Sequence, residues 1–120
     1  MIKKTLLLAV ALGFAGQAFA AAPTACDGAT AGKITISKAS TPLFIKTDFP
    51  QVCSNNVILN YGENNVVAWV ASGSKKGKNS FIGHSDGGAP KVDAACDSTG
   101  CTAANVTASL AVVAAVAASL

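Results

Sequence analysis

The chain has no arginine at all, one histidine, one tryptophan and one tyrosine among its 120 residues, and charged side chains make up only 12% of it. Without arginine there is no planar guanidinium to grip phosphate or carboxylate in two parallel bonds. With one histidine (His84) and six carboxylates spread along the chain, there are few ways to assemble an acid–base pair. Asp48 and Glu63 are the two that a cleft might oppose, and their spacing reads simply as two solvated turn residues. The inventory points away from an enzyme.

No Cys-x-x-Cys pair occurs, which removes the usual thioredoxin-type and zinc-ribbon readings. His84 is the only nitrogen ligand on offer, so neither a metal nor any other cofactor is expected. A Ser-His-Asp run at Ser85, His84 and Asp86 is not a triad, because adjacent residues cannot fold back on one another. Gly73-Ser74-Lys75-Lys76-Gly77-Lys78-Asn79 superficially has the look of a phosphate-binding loop. Three residues instead of four separate its glycines, and Asn79 stands where the magnesium-binding hydroxyl belongs.

What is present begins with the first twenty residues. Lys3 and Lys4 precede an uncharged stretch over Thr5–Gly16, and Ala18-Phe19-Ala20 closes it with small residues at the right spacing. That is the pattern of a secretory signal peptide read by the export machinery, with cleavage after Ala20 and Ala22 as the other choice. It is too short for a membrane-spanning helix. Once it is removed, seven lysines face six carboxylates, a net charge of +1. Nothing in that balance attracts nucleic acid. The expected location is secreted or periplasmic, in a bacterial cell envelope.

Four cysteines in an exported chain of this size read as two disulfides. The preferred pairing is Cys26 with Cys53 and Cys96 with Cys101, the second closing a tight loop over Asp97–Gly100. Both bridges would support a domain too small to bury a large core.

The remaining chain divides into a small, flexible segment over 21–32 tied by Cys26, a β-rich body over 33–101 and an apolar tail over 102–120. Lys33–Lys38 alternates apolar and polar residues, the mark of a strand. Leu43-Phe44-Ile45 is a candidate short strand, and Asp48-Phe49-Pro50 reads as a turn. Val57–Tyr61 and Val66–Ala71, separated by Gly62-Glu63-Asn64-Asn65, form a hairpin signal, and Ser80–Ser85 adds a third strand. This three-strand meander is the expected core, with strands covered on both faces. Thr102 caps a helix starting at Ala103, and Val106, Leu110, Val113, Ala117 and Leu120 mark one apolar stripe. The fold class expected is α+β, a small antiparallel sheet with an alanine-rich C-terminal helix packed on it. Two other fates of the tail fit the pattern: docking on another copy or a membrane surface, and service as a lipid-anchor attachment signal.

Two functions suit this reading. The first is an exported structural or adhesive subunit that self-associates at the cell surface. In its signal segment and an early bridge such as Cys26–Cys53 the chain is similar to bacterial fimbrial subunits. It is shorter than they are, however, and ends in a helical pattern rather than in their exchanged strand. The second is a monomeric binding module for a cell-surface polysaccharide or partner protein, with Tyr61, Trp69 and the lysines Lys75, Lys76 and Lys78 as contacts.

Overall fold

A computed structural model of the chain describes residues 23–39 and 43–120. The expected signal peptide and its cleavage sites lie outside the described residues. Among those described there are seven strands and one helix: β1 Thr24–Asp27, β2 Gly32–Ile36, β3 Phe49–Cys53, β4 Val57–Glu63, β5 Ala68–Ser74, β6 Asn79–His84, β7 Lys91–Ala95 and α1 Ala103–Ala117. They form a five-stranded antiparallel sheet in the order β1-β4-β5-β6-β7 and a separate two-stranded ribbon, β2-β3. The class is α+β, stapled by Cys26–Cys53 and Cys96–Cys101.

The expected meander is the middle of the larger sheet, β4-β5-β6. Its first turn is tied by Asn64, whose Oδ1 accepts the N–H groups of Val66 and Val67, each at 2.8 Å. A side chain that captures two successive donors keeps them out of the ladder. Strand β5 therefore begins at Ala68 and not at Val66. Val66 is left exposed on the turn, while Val67 is fully buried.

Four segments depart from the sequence reading: Lys91–Ala95, beyond the three-strand meander, pairs with β6 as strand β7, and three others differ as follows. Thr24–Asp27, in the part expected to be loose apart from its bridge, is the sheet's edge strand β1, paired with β4. Leu43-Phe44-Ile45 forms no strand. Phe49-Pro50 lies inside β3 rather than in a turn, with Pro50 opposite Thr35. A ribbon of two strands has outer positions where no ladder donor is needed, so proline fits there.

Helix α1 crosses β4, β5 and β6 and covers one face of the sheet. Thr102 is its N-cap, in a reciprocal capping box with Asn105, as the spacing predicts. Val106, Leu110 and Val113 are buried against Ile58, Ala71 and Ile82, and Ala117 is buried at the far end of the helix. Leu120, placed by its spacing on the same stripe, falls beyond the last turn and is exposed. Ser109 is buried instead: its hydroxyl donates to Ser80 Oγ at 2.7 Å, and Ser80 in turn donates to the Ala94 carbonyl at 3.2 Å. This relay links α1, β6 and β7 and fixes the helix's position along the sheet.

The Cys26–Cys53 bridge joins β1 of the sheet to β3 of the ribbon across 27 residues. Replacing both cysteines by alanine is expected to lower unfolding stability by about 2–4 kcal/mol, through the added freedom of the unfolded chain. Urea titration checks this; an unchanged midpoint would show that the ribbon is held by packing alone.

Candidate functional site

Alternation along the strands sorts the sheet's residues into two sets. Ile58, Asn60, Gly73, Ala71, Ser80 and Ile82 lie under α1. On the opposite face lie Leu59, Tyr61, Val70, Ser72 and Phe81, with Tyr61 opposite Val70 and Ser72 opposite Phe81. The expectation of strands covered on both faces is met on the helix side only. Val70, Phe81 and Val92 are 39%, 44% and 53% exposed. A chain with no long alternating pattern hid this, because both faces are apolar.

The β2-β3 ribbon and the Phe44–Ile45 segment flank the β4 side of this open face. Between them and the sheet runs an open apolar groove of about 230 Å³, lined in part by Ile36, Phe44, Phe49, Leu59, Tyr61 and Val70. Its position is set by two carboxylates. Glu63 Oε2 accepts the Ile45 N–H at 2.6 Å, and Asp48 Oδ1 accepts the Lys38 N–H at 2.8 Å. The pair that might have faced each other across a cleft thus serve as loop anchors. Burial first, and the nearby Glu63 carboxylate second, hold the Tyr61 hydroxyl above its usual pKa. It stays neutral, a hydrogen-bonding group at the edge of an apolar surface.

The other sequence-nominated contacts are scattered. Trp69 pairs with Gly62 on the helix side of the sheet and packs against the core cluster. Its indole lies over Gly62 so closely that a Cβ there would stand 2.6 Å from Cε2. Tyr61 and Trp69 therefore take opposite-face positions in the sheet, although both residues border the groove. Lys75, Lys76 and Lys78 sit on the β5–β6 turn, beyond the far end of β5 from Trp69, roughly 20 Å along the strand. That turn lies where α1 begins, with the Cys101 N–H donating to the Ser74 carbonyl at 2.9 Å.

His84 ends β6 opposite Trp69 and is half-buried, with Nδ1 unpaired. Asp86 lies in the exposed turn beyond, so the two do not share a strand face. Among the described residues no group of three or more metal-ligating side chains comes together, and no helix is long and apolar enough to cross a membrane. Both disulfides are compatible with an oxidising compartment.

No family model matches the chain, and neither a curated protein nor a solved structure is similar to it.

Proposed function

We propose that this is a small exported, non-enzymatic structural subunit that associates with copies of itself at the cell surface. The observation that carries this reading is the open sheet face, where Val70, Phe81 and Val92 stand in water beside an apolar groove. Contiguous apolar surface of this kind marks a contact surface. The bridged cysteines and the near-neutral mature chain agree with a part built to persist outside the cytoplasm. Neither requires a ligand.

Protein recovered from the periplasm of an expressing bacterium is expected to shift to larger species with rising concentration in sedimentation velocity, and to show ordered assemblies by negative stain. A single monomeric boundary at every concentration would remove the proposal. The competing reading, a monomeric glycan or protein binder, draws on the exposed lysine turn and on Tyr61 at the groove. It predicts that monomer together with a positive glycan array, lost on neutralising Lys75, Lys76 and Lys78.

A further inference from the structure

Helix α1 carries a second unpartnered surface. From Ala103 to Leu120 there is no charged residue, and away from the core Ala108, Ala111, Val112, Ala115 and Val116 are exposed. A helix with no charged side and apolar residues on both its inner and outer sides is ordinarily covered on more than one; α1 is buried on one. A lipid surface is a poor match for the outer side, since helices that lie on membranes carry lysine or arginine on their polar face, and this one has neither. The groove on the sheet's far side is also small, below the roughly 300–1,000 Å³ of small-molecule sites. It is sized for a few inserted side chains.

We infer that the outer face of α1 in one copy seats on the open sheet face of the next, so that the helix lies between two sheets. The inference rests on the subunit reading and specifies its contact. One interface covers both unpartnered surfaces. A two-fold pairing of helices would leave the sheet face in water. Both surfaces are also nearly free of charge. On β4, β5 and β6 the open face holds one ionisable acid, Glu63, already engaged by the Ile45 N–H. Val112 and Val116, one turn apart, offer knobs to the row formed by Val70 and Phe81. Edge-to-edge growth is disfavoured, because the β6–β7 register slips between Asn79 and Phe81 and β7 carries Lys91 and Asp93. The two surfaces lie on opposite sides of the same sheet, so the contact is head-to-tail. A 15-residue helix is only about 22 Å long and about 10 Å wide. The contact is therefore smaller than the roughly 800 Å² per partner of a standard interface, and association is reversible.

The test uses two variants at exposed positions: V112K/V116K on the helix and F81E/V92E on the sheet. Each is first shown to melt like the parent. Alone, each is expected to need roughly tenfold or more protein than the parent to associate, since each drives charge into an apolar contact. Mixed in equal amounts they are expected to assemble again, lysine faces on glutamate faces with unaltered faces meeting in between. If the parent assembles and the mixture does not, the contact is of another kind and the inference falls while the subunit reading stands. If either variant alone assembles like the parent, the inference also falls. A parent that stays monomeric overturns both, and a monomeric parent that floats with anionic vesicles unless Val112 and Val116 are changed assigns the helix face to lipid.

Discussion

A chain ending at Ala104 is expected to give no soluble protein with a cooperative melting transition. The truncation removes Val106, Leu110, Val113 and Ala117, all buried, and uncovers Ile58, Ala71 and Ile82 beneath them. Burying a large aliphatic side chain stabilises by about 1.5–3 kcal/mol, and a whole domain has only about 5–15 kcal/mol in reserve. Losing three such side chains together with the contacts of their partners is enough to exhaust it. The milder version is Leu110→Ala, expected to cost about 2–5 kcal/mol as a cavity opens between α1 and the sheet. Urea titration followed by circular dichroism measures both. A truncated form that melts at the parent temperature would mean that the sheet is stable uncovered, and that α1 is an appendage.

Gly100→Ala is expected to be the most damaging conservative change in the β-rich body. Gly100 has φ +127°, a conformation that side chains rarely adopt, and a Cβ there would fall on the backbone carbonyl of Lys75. Neither group can give way easily. Gly100 sits in the short loop closed by Cys96–Cys101, and Lys75 is held through its N–H by the Asn56 carbonyl at 2.7 Å. Gly87 is the control, since it has φ +125° with open space around it. Alanine at Gly87 adds backbone strain alone, about 1–3 kcal/mol. At Gly100 the steric collision adds to that, for a total of about 3 kcal/mol or more, or a fall of about 12–24 °C in melting temperature. Equal shifts for the two variants would refute the collision.

Much of this architecture is legible in the amino-acid order, and the reasons are local. The hairpin over Val57–Ala71, the helix beginning after Thr102 and the Cys96–Cys101 bridge all depend on residues close in sequence. Departures occur where a distant partner decides. Pro50 reads as a turn residue until β2 supplies a strand beside it. Thr24–Asp27 is small and polar, and it becomes a strand only because β4 offers its edge. The candidate contacts fared differently for the same reason. Tyr61 and Trp69 are close in sequence and in neighbouring strands, yet the register Tyr61↔Val70 and Gly62↔Trp69 sends them to opposite faces. An odd or even offset across a turn is invisible in composition. The open sheet face was hidden as well, since an exposed Phe81 and a buried Ile82 are equally apolar on paper.

In chain order, α1 follows every described strand. A polypeptide delivered from its N-terminus, whether by the ribosome or through a membrane pore, therefore completes the sheet before its lid exists. For that interval Ile58, Ala71 and Ile82 face solvent, and so does the opposite surface with Phe81. Nascent chains stalled just short of residue 106 should consequently be the form most strongly retained by holding chaperones.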